Sequence, residues 1–328
     1  MGDRMRIYSI VILAVSCFVF FSCKTEKKTE SKDFGYYLSL QADTNVSLFA
    51  PDIISTGHHE HSSVIISPDY SSAFYSLADN SQHIILELKN KNGKWSEPAV
   101  ASFSGIYSDD NPFFSGDGKR LYFLSRRPVP IEDENIDWSV WYVEKSNGNW
   151  SDAKFDSVLT KMNILSPSMA KNGNLYFCSK ERGGEGSYDL FLSKYENKKY
   201  SEPENLGIKI NTKFMEAWMY IDPDEKYILF TAIGRPEGNG IYVSFKDENN
   251  KWKEAKFISE INKNGDERFV QVSPNKEHLF FNRQFSKFGK TSSKRLTIKE
   301  VNKRLISSQN GKGDVYWISS EILERYKH

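Results

Sequence analysis

Phe113–Arg127 reads FFSGDGKRLYFLSRR: a short apolar run, a turn at Gly116-Asp117-Gly118, and a second run, Leu121–Ser125, ending in two arginines. Glycine and aspartate at the reversal supply the dihedral freedom and side-chain hydrogen bonds of a tight turn, so the stretch predicts a β-hairpin. Looser copies stand at Ile65–Asp69, Asn172–Phe177, Asp222–Asp224 and Val272–Asn275. The turn residues Asp69, Asp117, Asn172, Asp224 and Asn275 are separated by 48, 55, 52 and 51 positions. A period near fifty marks a propeller or a repeat array.

Each unit divides into four strands. Strand A precedes the turn and strand B follows it: Ala73–Leu77, Leu121–Ser125, Leu175–Ser179, Tyr227–Ala232 and His278–Asn282. Strand C alternates apolar and polar residues, as in Ile84–Lys89 and Tyr188–Lys194. An aromatic then opens strand D at Trp95, Trp150, Tyr200 and Trp252, spaced by 55, 50 and 52. Apolar residues alternate or run in short blocks, without the 3.6-residue period of helical repeats. Four-stranded sheets repeated radially are propeller blades. The expected fold is all-β: a single propeller of five blades, or six if an irregular segment forms another.

The fifth unit has no strand D after strand C. Leu48–Ser55 precedes the first strand A, where later units carry their strand D, and is expected to complete the last blade. Such closure leaves no unpaired edge.

The domain reading is 1–22 as a signal peptide, 23–45 as a flexible tether and 46–328 as the propeller. Arg4 and Arg6 precede the apolar run Ile7–Phe21, which is short for a membrane span. Phe20-Phe21-Ser22-Cys23 resembles a bacterial lipobox, which implies lipidation at Cys23. Phe20 and Phe21 depart from its usual Leu and small residue. An ordinary secretory signal or an uncleaved anchor is the competing reading. Lys24 stands where the resemblance would put an inner-membrane retention Asp, so the outer membrane is expected, facing periplasm or exterior. The polar tract that follows has tether composition.

Lys and Arg number 44 against 43 Asp and Glu, a balance that does not point to nucleic acid. Of three cysteines, Cys17 lies in the signal and Cys178 on an apolar strand, so no disulfide framework exists. Cys178 reads as a small buried hydrophobe.

The Ser-Pro-Asp of the first unit, Ser115–Phe123 and Ser187–Phe191 resemble WD-repeat-like units of the TolB type. Phe49–Thr56 followed by Glu60–Ser63 is similar to the start of bacterial lipoproteins with these repeats. The resemblance covers Leu48 to the C-terminus and implies the propeller; it does not imply one function, because propellers host enzymes, binders and scaffolds alike.

Stepping back eight positions from each turn residue gives His61, Asp109, Ile164, Glu216 and Glu267, at the start of strand A. Arg126, Arg127, Lys180, Arg182, Arg235 and Arg283 follow strand B on the same side. Interblade ion pairs are the structural reading of this set. The functional reading is a polar funnel at one channel mouth, with His61, Asp109, Glu216, Glu267, Arg126, Arg235 and Arg283 as binding residues. In His58–His61, His59 and His61 share a strand face and, with Asp109 or Glu267, form the best available ligand set; no resident metal or other cofactor is expected. There is no G-x-S-x-G elbow and no phosphate-cradling loop, and Gly183–Gly186 fits hairpin chemistry. The basic segment 284–312, with helical spacing over Leu296–Ile306, is a solvated loop or a partner site. The functional expectation is a monomeric, non-catalytic envelope module, lipid-anchored, binding an envelope protein or small ligand. An envelope lyase or hydrolase acting on carbohydrate or peptide is the alternative.

Overall fold

A computed structural model describes residues 32–130, 136–180, 182–263, 266–289 and 295–328. The proposed signal peptide, Cys23, Lys290 and Lys294 lie outside the described residues. Residues Lys32–His328 form one compact unit.

Five antiparallel blades are present, each built on strands in the order A-B-C-D, with a separate two-stranded ribbon at Tyr195–Glu196 and Lys199–Tyr200, and there is no sixth blade among the described residues. Strand A of blade 2 is Asp109–Phe114, B is Arg120–Ser125, C is Ser139–Ser146 and D is Lys154–Phe155. Strand B is buried along its length in blades 2 and 3, at Leu121–Ser125 and Leu175–Ser179. Neighbouring blades cover both its faces, which is why these runs are continuously apolar instead of alternating. One packed layer joins Phe74 and Ile85 of blade 1 to Leu121, Phe123 and Val143 of blade 2. Trp150 ties the same two blades, its Nε1 donating to Glu87 Oε1 at 2.9 Å. The strand-opening aromatics sit a few residues before the expected position in the ladder. Lys94–Trp95 and Asn149–Trp150 form small hairpin extensions, and strand D proper follows at Ala99–Val100 and Lys154–Phe155.

The A–B turns are structural. Ser115 Oγ donates to Asp117 Oδ1 at 2.7 Å, and the same oxygen accepts from the Lys119 amide at 3.1 Å. Ser67 to Asp69 and Ser273 to Asn275 repeat the contact at 2.6 Å.

The ring closes as expected. Ser47–Leu48 pairs with strand C of blade 5 (Asn310–Ser319), Ser47 opposite Trp317 and Leu48 opposite Tyr316. The pairing is shorter than Leu48–Ser55, because the chain turns at Pro51–Ser55. Phe49 beyond it is fully buried, 4.8 Å from the Phe280 ring and 5.3 Å from Trp317. The polar tract expected as tether ends in ordered structure. Helix α1 (Phe34–Ser39), N-capped by Asp33, buries Phe34 against Phe49 and Trp95. A second helix, α2 (Ser157–Lys161), links blades 2 and 3. Helix α3 (Ile298–Leu305) lies in the basic segment of blade 5, opened by a Thr297/Glu300 capping box. It buries none of its residues. Cys178 is buried, and burial pushes its thiol up to about 12.

Candidate functional site

Every strand A bulges near its start. In blades 2 to 5 the bulge holds one non-glycine residue at positive φ: Asn111 (49°), Ser166 (45°), Trp218 (46°) and Phe269 (52°). A left-handed residue inside a strand is costly and breaks the ladder, re-aiming nearby side chains. These four, with Ser63 of blade 1, line the axial cavity. Its volume of about 30 Å³ suits a single water. The axis is constricted at that level, and a wider cavity of about 390 Å³, lined by strand A residues of all five blades such as Ile66, Phe113, Met169, Tyr220 and Gln271, lies on the side of the A–B turns.

The polar positions at the start of strand A are mostly engaged. Asp109 Oδ1 is 2.8 Å from Arg127 Nη2, Glu216 Oε1 is 3.0 Å from Arg235 Nε, and Glu267 Oε1 is 2.9 Å from Arg283 Nε. All three carboxylates are fully buried. Each arginine also donates to a carbonyl of the incoming loop, at Phe103, Ile210 or Ile261. Each guanidinium lies over aromatic rings of strands B and C: Phe123 and Trp141, Phe230 and Tyr242, Phe281 and Tyr316. This repeated clamp fastens the loop between blades to the sheet it enters. Asp109, Glu216, Glu267, Arg235 and Arg283 are therefore structural, which corrects the funnel expectation for five of its seven residues. Burial raises the Asp109 carboxyl above its usual range against the opposing pull of Ser125 and Arg127. Blade 3 has the arginine without the acid: Ile164 is buried, and Arg182 donates to Met162 O at 3.0 Å.

Blade 1 departs from the pattern. Its strand A carries one extra residue before the ladder resumes, so Glu60, opposite Leu77, takes the place that Asp109, opposite Ser125, holds in blade 2. Thr56 Oγ1 donates to Glu60 at 2.6 Å, as Thr212 does to Glu216 at 2.7 Å. No arginine among the described residues pairs with Glu60, and its Oε2 is buried without a hydrogen-bond partner. Burial, joined by the nearby Asp314 charge, pushes its carboxyl up to about 8. The one-residue offset turns His61 out of the clamp position.

His61 instead meets Asp110 and His83. The Nδ1 atoms of His61 and His83 lie 3.0 and 2.9 Å from Asp110 Oδ2. His61 and His83 ring centroids are 4.5 Å apart. Asp110 follows Asp109 in strand A and so projects to the opposite sheet face, toward blade 1. His83 opens strand C of blade 1 (His83–Lys91), its amide held by Ser108 Oγ at 3.0 Å. Burial disfavours the Asp110 anion, but the two imidazoles outweigh it and hold the carboxyl well below the usual range.

An aromatic and cationic rim surrounds the cluster. Phe269 packs 5.1 Å from His61, Trp218 5.4 Å from Phe269, and Trp138 5.7 Å from His83. Arg268 stacks over Trp218 and Arg126 over Trp138, at 4.9 and 4.8 Å. Arg126 is half-exposed and pairs with Asp137 at 2.9 Å. Of the expected mouth residues, His61 and Arg126 remain at an accessible site. His59 stands beside His61 at 5.8 Å, and burial with the neighbouring imidazoles lowers its pKa. The set of His59 and His61 with Asp109 or Glu267 is not gathered at one point, since both carboxylates are engaged by arginines. His83, Asp110, Trp138, Trp218 and Phe269 were not singled out from sequence; Asp110 lies one step from the aligned position. The basic segment adjoins this mouth, with Gln284 Nε2 3.4 Å from His59 Nε2 and Asn310 bonded to Gly57 O at 3.1 Å.

No helix among the described residues is long and apolar enough to cross a membrane. No family's sequence pattern and no curated protein matches the chain. Among solved structures, the fold is similar to TolB from Acinetobacter baumannii, at 15% identity and a TM-score of 0.36, over 77% of this chain and 51% of that one. The chain thus spans about half the length of that protein. It is also similar to the catalytic domain of Coprinopsis cinerea GH62 alpha-L-arabinofuranosidase (12% identity, TM-score 0.44, covering 85% and 98% of the two chains). The putative TolB from Agrobacterium tumefaciens matches at 12% identity and a TM-score of 0.42, over 78% and 88%. The chain's own sheets make it a five-bladed β-propeller, and the structures it is similar to include both TolB proteins and an arabinofuranosidase domain.

Proposed function

We propose that this protein is a lipid-anchored cell-envelope binding or scaffold module that recognises an envelope protein or small ligand at the mouth formed by the starts of the A strands. The observation that supports this reading is the rim itself. Trp138, Trp218, Phe269, Arg126 and Arg268 come from three blades and surround a partly exposed histidine pair. Stacked arginines and aromatics are the residue types that dominate recognition surfaces. The rigid clamps below them remove the ordering cost that a flexible surface would incur on binding.

A photoreactive residue at Trp138 or Trp218 tests the reading in cells. A discrete crosslinked species from these positions, absent from a probe at Asn172 on the opposite face, is the expected result; equal yields from both faces would sink it. Anchoring is tested separately, since Cys23→Ala should release the protein from membranes. The enzyme alternative is favoured by one observation, the two imidazoles gathered on a buried carboxylate. Its test is a screen of envelope glycans and peptides in which turnover by the natural protein disappears in Asp110→Asn.

A further inference from the structure

We infer that His61, His83 and Asp110 form a binding site for a divalent first-row transition ion at the boundary of blades 1 and 2. The three donor atoms lie within 4.8 Å of one another. His83 and Asp110 lie in strand C of blade 1 and strand A of blade 2, and His61 lies just before strand A of blade 1, its amide bonded to Ser76 O at 2.8 Å.

Two buried atoms without a hydrogen-bond partner point to an ion. Asp110 is 3% exposed, and its Oδ1 is buried without a hydrogen-bond partner. His61 Nδ1 lies 3.0 Å from Asp110 Oδ2 as an ion-pair contact and is itself buried without a hydrogen-bond partner. Native interiors leave few such groups unsatisfied, and a cation held by both residues would satisfy the Asp110 carboxylate and the His61 ring nitrogen together. An ion with bonds of about 2.0–2.2 Å in a tetrahedral field holds its donors roughly 3.3 Å apart. The nitrogen–oxygen separations of 2.9 and 3.0 Å, both to Asp110 Oδ2, need a small spreading, while the donor set as a whole draws in from a span of up to 4.8 Å. The histidine side chains, 27% and 25% exposed, have room to make it.

The donor set selects the metal class. Two imidazole nitrogens and one carboxylate suit zinc and its first-row neighbours, whereas calcium and magnesium take nearly all-oxygen shells. Three protein ligands leave a coordination position, and Phe269 and Trp138 pack 5.1 and 5.7 Å from the two imidazoles. A closed structural site has four protein ligands; an open three-ligand site can take a ligand group directly.

The assignment goes beyond the recognition reading and does not depend on it, because the test uses metal alone. The full chain, purified in detergent and stripped with chelator, is titrated with zinc against a chromophoric competitor. Cobalt is then substituted for its visible absorption. One equivalent of zinc and a cobalt band characteristic of low coordination number are expected. His83→Gln and Asp110→Asn should each weaken zinc binding at least tenfold. His58→Ala, outside the cluster, should not. His61→Gln serves as the further ligand variant if Asp110→Asn alters the metal-free melting curve. Absence of stoichiometric zinc binding, binding unchanged in both His61→Gln and His83→Gln, or uptake of calcium in preference to zinc would each overturn the assignment.

Discussion

The repeated carboxylate–arginine clamp makes a sharp energetic prediction at Arg235→Met. Glu216 is fully buried and Arg235 is 8% exposed. The guanidinium approaches Glu216 Oε1 at 2.9 Å, binds the Ile210 carbonyl, and lies 4.7 Å from the Tyr242 ring centroid. Methionine retains much of the apolar stem but leaves the carboxylate uncompensated. The gross attraction at that distance is about 6 kcal/mol with an effective dielectric of ~20. Breaking one side of a buried pair typically costs about 3–5 kcal/mol. Glu216 keeps the Thr212 amide and hydroxyl at 3.1 and 2.7 Å, so the lower half of that range is expected. At about 2 °C per kcal/mol for a large domain, the melting temperature should fall by roughly 6–8 °C. Urea unfolding followed by tryptophan fluorescence measures the loss. In the double variant Glu216→Gln/Arg235→Met the stranded charge is gone, and stability should recover by about 2 kcal/mol over Arg235→Met alone. Arg182→Met, at the blade without the acid and with an exposed arginine, should cost under about 1 kcal/mol. If Arg235→Met were as mild as Arg182→Met, or the double variant no more stable than the single, the clamp would not be the fastening described.

Three further outcomes are expected. Phe49→Ala at the closing strand should cost about 3–5 kcal/mol and speed hydrogen exchange at Phe49, whose amide bonds Val315 O at 2.9 Å; unchanged exchange there would show that this side chain does not hold the ring shut. Gly186→Ala would place a methyl 1.7 Å from Phe214 O and 2.6 Å from Thr212 O, so the blade 3 hairpin must move; a melting loss corresponding to about 1–3 kcal/mol is expected, and a wild-type melting curve would contradict the close approach. Burial pushes the Asp314 carboxyl up to about 6 from an ordinary value of 3.8. The folded state then holds a proton that the unfolded chain releases, so this group's contribution to stability falls as pH rises from about 4 to about 6 and is level above. Asp314→Asn should remove that slope, gaining about 2–3 kcal/mol at pH 7 relative to pH 4; parallel pH–stability curves for the two proteins would refute the shift.

Much of the architecture could be read along the chain, and the reason is that it rests on local chemistry. The turn at Asp117 is built by neighbours within a few positions, Ser115 and Lys119, so its recurrence in sequence reports its recurrence in space. Burial of strand B by two adjacent blades wrote itself into Leu121–Ser125 as an unbroken apolar run. The missing strand D in the fifth unit and the surplus strand at the N-terminus matched by elimination, and Ser47–Leu48 does close the ring.

The site depended on longer-range facts. Alignment on the turn residue located Asp109, Glu216 and Glu267 correctly, but whether a carboxylate faces solvent or a guanidinium depends on a partner many positions away. One additional residue in the blade 1 bulge moved Glu60 into the clamp position and His61 out of it, and a period of about fifty residues with ordinary variation hides a single insertion. Asp110 was passed over because adjacent residues of a strand point to opposite faces, and only the placement of blade 1 beside blade 2 says what the second face meets. The sequence alone determined the repeat and the turn chemistry, because hydrogen-bond reach and burial act within each unit, while the choice of five blades over six waited on the sheets themselves. The tertiary structure alone decided that a histidine from a strand start, a histidine from a hairpin and an aspartate from the next blade share one point, because that meeting is set by how blades pack around an axis.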